Sequence, residues 1–276
     1  MPERDEKTVS SPRQTWVTTP RWWFQSPAWR GTLFRTALVM VTFGLFLLTW
    51  QAYVMLTETP AVILPAPVGI GAALLELYPQ LLADAGITAA TAVLGLFFGA
   101  VVGVGLGFGM VVSRSVSRTF VPYIVALRIA PLIAIAPLLF LWFGRGLLAR
   151  SVLVATLTVF PLTIATLDGL RSTPPSYLSL MQSVDASAWR VFLNVRVPAA
   201  APSIFAGFKI AATLSVIGAV GAEFLTLQAG IGYRVFRAAT FLETTESFAA
   251  LVVLAILGNL FYLVPVAVER VLWTNP

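Results

Sequence analysis

The chain has 276 residues, of which 58% are hydrophobic and only 11% charged, with a mean hydropathy of +0.87. A soluble domain carries about a quarter charged residues, so this composition excludes an ordinary water-soluble globule and points to a bilayer, where each helical span takes about 20 apolar residues. The net charge of +6 is almost all Arg, and Cys and His are absent; disulfides, thiolate chemistry, His-based metal sites and His general bases are thereby excluded, and the basic balance reads as membrane orientation rather than nucleic-acid binding.

Residues 1–30 are polar, with Pro, Ser, Thr and mixed charge, and are expected to form a cytoplasmic tail ahead of a membrane domain covering 31–276. Trp22, Trp23 and Phe24 lie beside Arg21 and Arg30. Amphipathic rings favour the headgroup zone, so this cluster is expected to anchor at the interface; a disordered tail is the alternative for residues 1–20. The first apolar run starts near Gly31 and is long enough to span rather than be cleaved as a leader.

Six spans are expected in an all-α membrane fold. The first covers about Thr32 to Val54. A loop follows with Pro60, Pro65, Pro67 and three acids but no Lys or Arg, in which Ala73–Leu82 is expected to lie as a short helix along the surface. The second span, about Ala85 to Val112, carries Gly95, Gly99, Gly103 and Gly107. Four-residue spacing puts small residues on one helix face and lets another helix come close. A phosphate-binding loop is rejected, since no G-x-x-x-x-G-K-[ST] occurs. The third span, about Phe120 to Phe143, contains Pro122, Pro131 and Pro137, so a kinked or unwound helix is expected. The fourth runs from about Ala149 to Leu167, the fifth from Ile204 to Leu227 and the sixth from Phe248 to Val268.

Between the fourth and fifth spans lies a polar segment, Asp168 to Pro202. Apolar residues at Tyr177, Leu180, Met181 and Val184 repeat at helical spacing. Asp185 suits a cap or a left-handed turn, after which Ala186, Ser187 and Trp189 open a second short helix. Pro198 and Pro202 are expected to stop that helix before the fifth span. With the N-terminus inside, thirteen Lys and Arg fall on the cytoplasmic side and four (Arg145, Arg150, Arg234 and Arg237) outside. The positive-inside rule therefore places both termini and the polar segment in the cytoplasm. Arg128 and Glu223 are the ionisable residues deepest in the expected spans. Such groups are costly in lipid and default to a functional or paired role, so both are expected to line a translocation pathway, with placement near an interface as the alternative for each.

The polar segment resembles the cytoplasmic coupling loop of ATP-binding-cassette importers, E-A-A-x3-G-x9-I-x-L-P. Val195-Arg196-Val197-Pro198 matches its end; Asp185 stands where the Gly belongs and Ser179-Leu180-Met181 where E-A-A belongs. The wider match covers nearly all of residues 60–270, through LPAPVGIGAALLELYPQLLADAG, RIAPLIAIAPLLFLWFGRGLLAR and FPLTIATLDGLRSTPPSYLSLMQ in the same order as in the sulfonate, nitrate, taurine and pyrimidine-precursor permeases. The resemblance implies a six-span permease of the type I importer fold, multi-pass in the cell membrane and paired with a second copy. It implies two cytoplasmic ATPase subunits, which carry the ATP and Mg, and an external substrate-binding protein. No cofactor on this chain, no enzymatic site and no nucleic-acid partner are expected. Tyr177, Leu180, Met181, Val184, Asp185, Ala186, Ser187, Trp189 and Pro198 are implied to form the ATPase-coupling surface. The solute is implied to be small and polar: a vitamin or pyrimidine precursor, riboflavin, a sulfonate, taurine or nitrate. The alternative is a transporter driven by an ion gradient, whose marks would be inverted repeats and broken helices in both halves.

Overall fold

A computed structural model describes residues 28–129 and 132–273, and these are helical apart from short connections. Residues 1–27 of the expected tail, with the Trp22–Trp23–Phe24 cluster, lie outside the described residues, and its last three residues already belong to the first helix. The chain divides into two units, 1–50 and 51–276. The first unit contributes most of α1 (Ala28–Leu56), an apolar helix with its large side chains exposed. The second contains α2 (Pro67–Glu76), α3 (Tyr78–Val112), α4 (Arg114–Ile129), α5 (Leu132–Phe143) and α6 (Leu147–Arg171), then α7 (Pro175–Ser183), α8 (Ala188–Val191), α9 (Val197–Thr226), α10 (Ile231–Thr240) and α11 (Thr244–Trp273). Among the described residues, five stretches are long and apolar enough to cross a membrane, lying in α1, α3, α6, α8–α9 and α11.

The core of the second unit is α3 against α6, and the glycines explain it. Gly95, Gly99, Gly103 and Gly107 are all buried. A Cβ at Gly99 would overlap Thr158 Oγ1, and one at Gly95 the Val154 side chain. At Gly103 it would come within 3.0 Å of Leu162 Cβ, and at Gly107 within 2.6 Å of Thr166 Cβ. The partners step by four as the glycines do, so α3 and α6 run parallel and in register, backbone nearly against backbone. Such contact gains dispersion energy that lipid cannot supply. Packed on this pair is α9, which runs the other way: Gly207 meets Ala165, whereas Gly218 meets Leu157. Ala92, Val154, Val216 and Ala219 form the buried centre of the three helices.

Because α3 and α6 are parallel, the chain between them must return along the body. It does so through α4 and α5, which together cover the expected third span, Phe120–Phe143, on either side of residues 130–131, which lie outside the described residues. Two expectations need correction. The short helix of the first loop ends at Glu76, and Tyr78 already starts α3, with Pro79 near its N-terminus where the missing N–H costs nothing. Nor do Pro198 and Pro202 stop the helix before the fifth span. From Ala188 to Thr226 the helix is continuous. It passes Pro198 through one wide π turn, Phe192–Arg196, in which Val197 N–H reaches back to the Phe192 carbonyl. That wider turn relieves the clash a proline ring makes with the carbonyl four residues earlier.

Candidate functional site

Two places hold the chemistry of this chain, one at each end of the α3–α6–α9 core. The first is the expected coupling segment. Thr173 is buried and Pro174-Pro175 starts α7, whose nine residues include no buried one. Tyr177 is 56% exposed, Leu180 61% and Val184 65%, with Met181 half-buried. Asp185 takes the left-handed conformation, φ 50°, as its residue type allows. The turn closes through Ala186 N–H to the Met181 carbonyl at 3.0 Å. Ser187 then caps α8, its Oγ accepting from Arg190 N–H at 3.4 Å. Trp189 is exposed and stacks on Phe192 at 5.8 Å, and Phe192 in turn meets the edge of Phe108 on α3 at 5.5 Å. The arm therefore rests on the core through aromatic rings at its α9 root, while its tip presents an apolar face that is exposed among the described residues. Pro198 is exposed at the start of α9.

The second place was read from the sequence only as Glu223. That residue is fully buried, near the end of α9, and its carboxylate is spent inside the chain. Oε2 accepts from Gly232 N–H at 2.8 Å and from Thr88 Oγ1 at 3.1 Å, and the same Thr88 oxygen accepts from Ile231 N–H at 2.9 Å. The first two orphan N–H groups of α10 are thus satisfied by side chains of α9 and α3 rather than by a local cap. Gly230 is required at this point: its φ is +110°, and a Cβ there would overlap the Glu223 carboxylate. Arg150 of α6, also buried, donates from Nη1 to the Ala229 carbonyl at 3.2 Å.

Outside this cap sits a charge network. Arg234 donates to Asp84 at 2.5 Å and to Glu246 at 2.8 Å; Arg237 reaches Glu246 and Glu243 at 3.4 Å. Burial opposes the Arg234 charge, but the bonds to Asp84 and Glu246 outweigh it and hold the guanidinium above its ordinary pKa. Asp84, Arg234 and Glu246 join α3, α10 and α11. Between the expected fifth and sixth spans the structure adds α10, whose Ile231, Val235, Ala238 and Ala239 repeat at helical spacing. It also pairs Lys209 with Glu269, joining α9 and α11. Arg128 belongs to α4, but its side chain lies outside the described residues.

With that geometry in hand, the comparisons with known proteins are informative. Residues 95–272 match the family model described as "Binding-protein-dependent transport system inner membrane component". The chain is 33% identical over 232 residues to a probable ABC transporter permease protein of Haemophilus influenzae, covering 84% of this chain and 95% of that one. It is 32% identical over 231 residues to a formylaminopyrimidine transport permease of Halalkalibacterium halodurans, covering 83% and 92%. Among solved structures, it is similar to a chain of the MetNI methionine ABC transporter in an inward-facing conformation, with a TM-score of 0.63 and 19% identity over 71% of this chain and 97% of that one.

Proposed function

This chain belongs to the family of inner membrane components of binding-protein-dependent transport systems, and from that premise we propose how it works as the permease of an ATP-binding-cassette importer for a small solute. As a member of that family it supplies the membrane path, with ATP hydrolysis and substrate capture in separate subunits. We assign α7 and α8 to the ATPase contact. The observation that carries this assignment is the bare apolar face of Tyr177, Leu180 and Val184 beyond the last turn of α6, where a helix with no buried residue would be unstable unless something covers it. Leu180 and Met181 would sit in a groove of the ATPase, and the aromatic stack Trp189–Phe192–Phe108 would pass its motion to α9 and α3.

In this reading the α7 end is cytoplasmic, as are both termini, and the Asp84 end faces outward. The basic residues favour that orientation. Two copies of the chain enclose the path, each held by one of two ATPase subunits, which carry the ATP and Mg. Arg128 remains the proposed pathway residue, because an ionisable group within a span defaults to a functional role. For Glu223 the cap of α10 supports a positioning role instead of contact with solute. The solute proposed is a vitamin or pyrimidine precursor, the formylaminopyrimidine relative being the support. The test is reconstitution with the ATPase and the binding protein in vesicles, followed by ATP-dependent uptake of formylaminopyrimidine, riboflavin, taurine and an aliphatic sulfonate. Uptake driven by a proton or sodium gradient through this chain alone would defeat the reading.

A further inference from the structure

The α10 helix is held in an unusual way. Its fully buried residues are Ile231, Gly232 and Ala238, with Tyr233 and Val235 half-buried and Phe236 against Phe224. Polar hooks hold its first turn: Glu223 and Thr88 on its first two N–H groups, Arg150 on the Ala229 carbonyl just before it, and Asp84 with Glu246 on Arg234. Both flanks turn through left-handed backbone at residues other than glycine, Leu227 at φ 52° and Leu242 at φ 62°. Such positions are sparsely populated and mark places where the chain can pivot. Under the helix, a cavity of about 110 Å³ is lined by Asp84, Gln228, Ala229, Tyr233, Arg234 and Arg237.

Two buried atoms are left without partners in this arrangement, Glu223 Oε1 and Arg150 Nε. One is a carboxyl oxygen and the other a guanidinium nitrogen, and each belongs to a side chain that already grips the 229–232 turn. Arg150 is among the charges that act on Glu223, yet the two make no ion pair. If α10 left its seat, Glu223 would lose the Gly232 N–H and Arg150 would lose the Ala229 carbonyl. Each charge would then be buried and uncompensated, a costly state. Pairing with each other removes that cost and satisfies both orphan atoms.

We propose that α10 is a hinged latch of the transport cycle, swinging on Leu227 and Leu242, and that Glu223 and Arg150 trade the 229–232 turn for each other when it opens. The latch rests on the importer reading, since that reading supplies the cycle. Because the chain has no cysteine, Ala238→Cys on the buried face of α10 gives a single thiol. In vesicles containing the ATPase and binding protein, an impermeant maleimide should label it about tenfold faster with Mg-ATP than without, within the coupling that a two-state transition carries. Adding Arg150→Gln should bring the turnover rate down to the resting rate, because the open state loses its partner. A residue that merely supported the fold would instead raise the resting rate. Should Ala238→Cys not assemble, hydrogen exchange on the unmodified complex reads the Ile231 and Gly232 amides, which should exchange faster during turnover. Unchanged labelling or exchange in a complex whose ATP hydrolysis responds to the binding protein overturns the latch alone. An ATPase that never responds to the binding protein overturns the latch and the importer reading together.

Discussion

At the Asp84 end, Arg234 bridges α3 to α11 and Glu223 caps α10 from inside; at the Tyr177 end, α7 and α8 contain no buried residue at all and present Tyr177, Leu180, Val184 and Trp189 to the surroundings. The contrast separates two uses of a side chain. Polar groups that find partners within the chain hold its own elements in place. Apolar groups that find none are available for another molecule. Substitutions should therefore hurt the protein in different ways at the two ends: stability first at one, coupling first at the other.

The largest effect on stability should come from Glu223→Ala. It leaves the Gly232 N–H buried without an acceptor and opens a cavity, and hydrogen bonds to a charged group are each worth about 1.5–3 kcal/mol; a loss of about 3 kcal/mol is expected, read as lowered Tm in detergent. Glu223→Gln should recover much of it, because an amide oxygen can still accept. Next comes Gly99→Ala in the core, where the added methyl meets Thr158. Overpacking costs about 1–3 kcal/mol, and separation of α3 from α6 should show as Tm loss and poor insertion. If Gly99→Ala were neutral, the close α3–α6 contact would be in doubt.

How much of this was legible in the residues differs between the same two regions. The glycine face of α3 could be read directly, because a period of four is local and its consequence, close approach, needs no knowledge of the partner. Asp185 could be read as a turn for the same reason. Pro198 misled: a proline ends a helix unless the backbone widens, and the π turn that allows it here has no sequence signature. The cap on Glu223 was invisible, since its partner Thr88 lies 135 residues away in the chain. Lys209 entered only the count of cytoplasmic charges, since its partner Glu269 sits on another helix.

A smaller effect is expected at the surface network. Asp84→Asn should weaken the tie between α3 and α10 by about 1 kcal/mol, as for a partly exposed ion pair, and the loss should shrink in Arg234→Gln, where both members of the pair are gone. Measuring Tm for the two singles and the double variant isolates the pair.

At the other end the prediction inverts. Leu180→Glu changes a side chain that touches little of its own chain, so Tm should stay within about 0.5 kcal/mol of the parent, as for surface substitutions away from special features. Its effect should appear only in the assembled complex. The decisive measurement is ATP hydrolysis and solute uptake, taken together, for Leu180→Glu reconstituted with the ATPase and the binding protein. An ATPase that still hydrolyses but no longer drives uptake, in a chain that is folded and inserted, is the expected result. Uptake at the parental rate would contradict the assignment of α7 as the coupling surface.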